Sequence, residues 1–98
     1  MENIKNRLKV ELSAYGRVED CVDNKYAFIL NYRYGGNVRV EVGRNIVTYR
    51  IFSGELTDEN YIRGFPWYED FEENVNNTVK AILRDVVDYK NNHGLNVA

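Results

Sequence analysis

The chain has 98 residues, of which 44% are hydrophobic and 13% aromatic, and its formal net charge at pH 7 is −2. This length and composition are sufficient for one hydrophobic core, and the aromatic content argues against intrinsic disorder, so we expect a single domain over residues 1–98. No apolar run approaches the roughly 20 residues that a membrane-spanning helix needs, so we expect no membrane partner.

The cysteine content and the N-terminus predict a cytoplasmic location. Cys21 is the only cysteine, so no intramolecular disulfide can form. The start of the chain, MENIKNRLKV, lacks the basic and then apolar pattern of a secretory signal. We therefore expect the protein in a reducing compartment.

The first predicted element is a helix over residues 3–15, which Asn3 caps and Gly16 ends. Its apolar residues are spaced by three and four positions, which predicts one buried stripe. The stripe consists of Ile4, Leu8, Leu12 and Tyr15.

Two strand candidates follow this helix. Residues 17–23 are the weaker one, because Asp20 would lie on the same face as Val18 and Val22, which a bulge or a strand end would explain. Residues 25–34 alternate well, and their apolar face is predicted to be core. That face consists of Tyr26, Phe28, Leu30, Tyr32 and Tyr34.

The continuity of the apolar face indicates the loop length of the first hairpin. A two-residue loop at 35–36 would pair the following valines with Arg33, Asn31 and Ile29 and so split the apolar set. A three-residue loop over 35–37 places Tyr32 opposite Val40 and keeps the apolar face continuous. We therefore predict the three-residue loop, whose glycines supply positive φ.

The second hairpin fits a two-residue turn at 44–45, which pairs Arg39 with Arg50. Combined with the first hairpin, this register predicts a row of three arginines across three strands, on the sheet face opposite the core. The row consists of Arg33, Arg39 and Arg50.

The C-terminal half is predicted to be helical. Residues 56–64 can form one or two helical turns capped by Thr57, and Pro66 would open a long helix over 66–92 that Gly94 closes. Apolar residues recur every three or four positions along the long helix, namely Trp67, Phe71, Val75, Val79, Ile82, Val86 and Tyr89.

These elements predict an α+β fold, a two-layer sandwich in one domain. An N-terminal helix, a short helix and a long C-terminal helix would cover one face of a three- or four-stranded antiparallel meander. The arginine face would stay open.

We expect no enzyme, no cofactor and no metal site. His93 is the only histidine and has no cysteine nearby, so neither a zinc site nor a histidine-based triad is expected. Cys21 on a strand is interpreted as a small hydrophobe. Asp70 and Glu73, in the first turns of a helix, are interpreted as surface residues that complement its dipole.

The coarse order of elements is similar to that of double-stranded RNA-binding domains. Those domains grip phosphates through lysines at the start of the last helix. This chain has acidic residues there, namely Glu69, Asp70, Glu72 and Glu73, so we do not expect that binding mechanism.

The charge distribution predicts a protein-binding module. Residues 55–73 hold seven acids and one arginine, with aromatic residues among them, and we expect this acidic segment to contact a partner protein with a basic surface. Size, element order and charge resemble those of phage-encoded inhibitors, including some anti-CRISPR proteins, which implies occupation of a basic groove in a nucleic-acid-handling enzyme. The predicted contact residues are Glu55, Asp58, Glu59, Tyr61, Tyr68, Glu69, Asp70, Glu72 and Glu73.

The arginine row is a second candidate surface, and three interpretations of it stay open. Solvent and Glu41 could screen it with nothing bound, an acidic partner or a second copy of the chain could dock on it, or it could bind RNA or single-stranded DNA. In the predicted register the tyrosines face the core, which leaves few rings for base stacking.

Overall fold

The computed structural model describes residues 2–54, 59–66 and 71–92. It confirms an α+β fold, in which two helices pack against one five-stranded antiparallel sheet. The strands follow chain order, with β1 and β5 at the edges. The elements are α1 (Glu2–Leu12), a 3-10 turn (Ser13–Tyr15), β1 (Gly16–Asp20), β2 (Ala27–Tyr32), β3 (Asn37–Val42), β4 (Ile46–Phe52), β5 (Glu59–Pro66) and α2 (Phe71–Asn92).

The core lies between one face of the sheet and the two helices. Alternate residues of β2, β3 and β4 point into it, and every third or fourth residue of each helix meets them. It includes Leu8, Leu12, Phe28, Leu30, Val38, Val40, Val42, Val47, Tyr49, Ile51, Val75, Val79, Ile82, Val86 and Tyr89. Neither helix, within the ranges described, is long and apolar enough to span a bilayer.

The end of β1 explains why an aspartate occupies a position on the helix-covered side. Asp20 is the last residue of β1, and its Oδ1 lies 2.7 Å from Lys9 Nζ and 3.2 Å from Lys5 Nζ on α1. The buried Lys5 ammonium also donates a hydrogen bond of 2.6 Å to the carbonyl of Lys25. The weak strand over 17–23 is therefore real but ends at Asp20, and Val22 beyond it is exposed.

The first hairpin differs from its predicted register. Leu30 pairs with Val38, and the hairpin closes through bonds from Tyr32 N to Gly36 O (3.0 Å) and from Gly35 N to Tyr32 O (3.1 Å). The predicted loop over 35–37 is therefore wrong. The apolar face is preserved nonetheless, because the true register differs from the predicted one by an even number of positions.

The second hairpin confirms its prediction. Arg39 pairs with Arg50, and the amide of Gly43 bonds to the carbonyl of Ile46 at 2.7 Å, which closes the two-residue turn at 44–45.

The segment after β4 corrects the short helix. Residues 59–66 form β5, in which Phe65 pairs with Val47 and Tyr61 with Ile51, while residues 55–58, including Thr57, lie outside the described residues. Pairing with the edge of β4 outweighs the local helical pattern.

The long helix begins later than predicted. Pro66 ends β5 instead of opening α2, which runs from Phe71 to Asn92. Trp67, His93 and Gly94 lie outside the described residues.

Candidate interaction site

Arg39, at the centre of the predicted row, forms ion pairs with two carboxylates. It lies on the sheet face away from the helices but is only 7% exposed. Its two Nη atoms lie 3.2 and 3.0 Å from the carboxylate oxygens of Asp23, and its Nε lies 3.3 Å from Glu41 Oε1. The guanidinium of Arg39 lowers the pKa of Asp23. Arg39 thus fastens the β1–β2 loop to the sheet.

The three arginines do not share one row. Arg50 is the β4 neighbour of Arg39, as predicted, but the β2 neighbour is Ile29. Arg33 lies in the β2–β3 turn, because the true hairpin register places it beyond the end of β2. The predicted row of three arginines on the open face is therefore not assembled.

Cys21 is partly exposed just beyond β1, with its Sγ 3.5 Å from Arg39 Nη1. Burial raises the pKa of the thiol, and Asp23 and Glu41 act in the same direction while Arg39 opposes them. The raised pKa keeps the thiol protonated at neutral pH, which disfavours a nucleophile.

The acidic segment is only partly described. Glu72 and Glu73 are exposed in the first turn of α2, and the Glu72 carboxylate lies 2.5 and 2.6 Å from the two Nη atoms of Arg7 on α1. Glu72 therefore connects the helices. Glu59 and Tyr61 lie in β5, and the other predicted contacts lie outside the described residues, namely Glu55, Asp58, Tyr68, Glu69 and Asp70.

The structure assembles a different cluster where α1, the β2–β3 turn and α2 meet. Tyr34 at the tip of the turn is 61% exposed, and Tyr15 at the end of the 3-10 turn is 40% exposed. We call this cluster the tyrosine–cation patch, and it consists of Tyr15, Tyr32, Arg33, Tyr34 and Lys90.

Short contacts hold the patch together. The Tyr34 ring meets Tyr32 edge-on, with centroids 5.6 Å apart, and Lys90 Nζ lies 6.0 Å from the Tyr34 centroid. The Arg33 amide donates to the carbonyl of Tyr15 at 2.9 Å, and its Nη2 donates to the carbonyl of Ala14 at 3.1 Å. The 3-10 turn, the β2–β3 turn and α2 therefore meet at this patch.

Both cations of the patch lie at helix C-termini. The last carbonyls of a helix carry partial negative charge, which favours Arg33 beside the 3-10 turn that follows α1 and Lys90 in the last turn of α2. Neither side chain forms an ion pair with a carboxylate in the part of the chain that the structure describes. Most of the guanidinium donors of Arg33 thus stay available to a ligand.

The sequence interpretation missed this patch because it assigned Tyr32 and Tyr34 to the core face and Tyr15 to the buried stripe of α1. The structure leaves Tyr32 half-buried and exposes the other two. The usable signal was the stretch YRYGG, in which a turn ahead of the glycines would expose Arg33 and Tyr34.

Within the described ranges, no group of three or more His, Cys, Asp or Glu residues is arranged to hold a metal ion. No protein-family model, curated protein or solved structure matches the chain.

Proposed function

We propose that this chain is a protein-binding module and that the tyrosine–cation patch is its contact surface. The observation that carries the proposal is the 61% exposed Tyr34 between Arg33 and Lys90. Tyrosine and arginine are enriched among the residues that dominate binding energy in protein interfaces. An exposed ring that neighbouring contacts already hold loses little conformational entropy on binding.

The charge of the patch defines the chemistry of the partner. Two cations that lack carboxylate partners within the described residues favour acidic side chains on the incoming segment. The ring of Tyr34 offers apolar area beside Lys90. The fitting partner segment therefore combines an Asp or Glu with an apolar or aromatic side chain.

A peptide display selection against the full chain tests this proposal. We expect enrichment of peptides that place acidic next to aromatic residues. The double variant Arg33→Gln/Tyr34→Ala should lower their affinity about tenfold or more, which corresponds to losing one contact of hot-spot size.

Arg44→Gln is the matched control, because Arg44 is also an exposed turn arginine but lies in the β3–β4 turn. It should bind the selected peptides like the wild type. Equal affinity of the wild type and the double variant would refute the patch as the contact surface.

Single-stranded nucleic acid is the second candidate ligand of the same patch. Exposed rings beside cations are the combination that stacks bases and contacts phosphates. The discriminating measurement is a fluorescence titration with short single-stranded RNA and DNA at two salt concentrations. Micromolar binding that weakens steeply with salt and disappears in Arg33→Gln/Tyr34→Ala would replace the protein partner by a nucleic acid.

The acidic segment is a further proposed contact, for a partner with a basic surface such as a nucleic-acid-handling enzyme that the chain would inhibit. The exposed Glu73 and the seven acids within residues 55–73 support it. Replacing Glu69, Asp70 and Glu73 by their amides should abolish retention of such an enzyme in a low-salt pull-down. Unchanged retention would exclude the segment.

A further inference from the structure

A groove separates α2 from the edge strand β5, on the side of the sheet that the helices cover. Its volume is about 620 Å³, within the range of small-molecule sites. The described lining is Phe65, Asn74, Asn77, Thr78, Lys80, Ala81 and Arg84.

The groove has an aromatic floor. The Phe65 ring stacks on Tyr49, with centroids 5.9 Å apart and planes 4° from parallel. Tyr49 is fully buried, and its hydroxyl donates a hydrogen bond to the carboxylate of Asp85. A buried partner thus fixes Phe65 from one side, and Ala81 leaves room beside it.

A buried hydroxyl without a hydrogen-bond partner in the described residues indicates a ligand site at this groove. Thr78 lines the groove and is only 1% exposed, yet its hydroxyl forms no hydrogen bond with any residue that the structure describes. Buried hydroxyls in native proteins normally have a partner, and one without a partner lowers stability. A polar ligand atom in the groove would supply the missing hydrogen bond.

The walls of the groove carry positive charge. Lys80 is exposed and forms no ion pair among the described residues, so its charge is not compensated there. Arg84 adds a guanidinium that is ion-paired through Nε with Asp85 Oδ1 at 3.2 Å. The described lining contains no carboxylate. The electrostatic preference is therefore for an anion.

We propose that this groove binds a small organic anion that consists of a planar ring and a phosphate or carboxylate group. The ring lies against Phe65 and Ala81, and the anionic group lies toward Lys80 and Arg84. Thr78 and Asn77 bond to polar atoms between these two parts. The proposal rests on residues outside the tyrosine–cation patch, so it stands or falls independently of the proposed function.

Calorimetry and amide NMR on the full chain test the proposal with paired probes. Adenosine monophosphate carries both a ring and an anionic group, adenosine lacks the anion, and inorganic phosphate lacks the ring. We expect micromolar binding of the monophosphate, with shifts at Phe65, Thr78 and Ala81, and binding about tenfold weaker or worse for the other two. A parallel titration with a naphthoate, which carries a ring and a carboxylate, shows whether the groove prefers a carboxylate or a phosphate.

Two variants locate the binding. Thr78→Val keeps the side-chain shape and should weaken the monophosphate or the naphthoate about tenfold, as expected for a hydrogen bond to a polar or charged ligand. Lys80→Gln, at an exposed position, should weaken it comparably. Lys25→Gln, at an exposed lysine that belongs to neither the groove nor the tyrosine–cation patch, is the control and should bind like the wild type.

Failure of both anionic probes to bind would overturn the proposal. Equal binding of adenosine and adenosine monophosphate, or unchanged affinity in both Thr78→Val and Lys80→Gln, would overturn it as well.

Discussion

Tyr49 combines full burial with a hydrogen bond to Asp85, which is itself only 3% exposed. Tyr49→Phe should lower the free energy of unfolding by about 1–3 kcal/mol, because it removes a partner from a buried carboxylate. Urea unfolding at neutral pH measures this loss. Tyr34→Phe, at the exposed turn, is the control and should leave the unfolding midpoint unchanged.

The lowered pKa values of Asp20 and Asp23 predict how the free energy of unfolding changes at acid pH. Hydrogen bonds from Lys9 and Lys5 lower the pKa of Asp20, and Arg39 lowers that of Asp23. A carboxylate whose pKa is lower in the folded state contributes stability above its unfolded pKa of about 3.9, and this is lost as pH falls through the lowered folded pKa.

The double variant Asp20→Asn/Asp23→Asn should therefore lose less stability than the wild type in the acid range below about pH 4. Thermal unfolding followed by circular dichroism at a series of pH values makes the comparison. Parallel curves for the two proteins would contradict the assignment.

The pattern of apolar and polar residues predicted burial more accurately than it predicted contacts. Leu8, Leu12, Phe28 and Leu30 are core residues as expected. The pairing of Asp20 with two lysines of α1 depends on how the helix crosses the sheet, which no local pattern contains. The same limit hid the exposure of Tyr34.

β1 is joined to the sheet at a position that only glycine fits. A Cβ on Gly16 would lie 2.0 Å from the backbone oxygen of Asn31 on β2, and neither backbone can move without breaking the pairing. Gly16→Ala should cost about 1–3 kcal/mol of unfolding free energy, as overpacking does elsewhere, and should raise hydrogen exchange in β1.

Gly54→Ala provides the comparison, because no atom of the described residues lies within 4 Å of a Cβ there, although its φ of +71° is unfavourable for alanine. A larger loss for Gly54→Ala than for Gly16→Ala would contradict the steric explanation.

α1 and α2 are joined by the ion pair of Arg7 and Glu72. The side chains are 32% and 61% exposed, so water screens the pair and its contribution should be small. A double-mutant cycle with Arg7→Gln and Glu72→Gln should give a favourable coupling at low salt that disappears at high salt. A coupling independent of salt would point to packing instead of charge.

Alternation and helical spacing identified α1, β2, β3, β4 and most of α2. They could not choose between hairpin registers that differ by an even number of residues, since each register keeps the apolar face continuous. β5 was missed because LTDENYIRG carries a helix-capping pattern, whereas its pairing with β4 is a long-range effect. The tyrosine–cation patch depends on the true register of the first hairpin. Because the sequence predicted a different register, it did not predict the patch.

The two proposed binding surfaces lie at different levels along α2 of a compact molecule. The radius of gyration is 12.7 Å, close to the value of about 13 Å expected for a folded chain of this length. Lys80 in the groove and Lys90 in the patch are ten residues apart on α2, or about 15 Å along the helix axis.

We therefore expect the two surfaces to act independently. Thr78→Val should leave the affinity of patch-binding peptides unchanged, and Arg33→Gln/Tyr34→Ala should leave monophosphate binding unchanged. Calorimetric titration of each variant with both ligands tests this. A cross-effect of tenfold would show that α2 couples the surfaces.

The burial of Lys5 makes the amines of this chain chemically distinguishable. All five lysines lie within the described residues, and Lys5 alone among them is buried, at 7% exposure. An amine-specific acylating reagent should modify the other four quickly and Lys5 only when the fold opens. Protection of Lys80 or Lys90 from acylation then shows which surface holds a ligand. An unmodified Lys5 shows that the labelled molecules were folded.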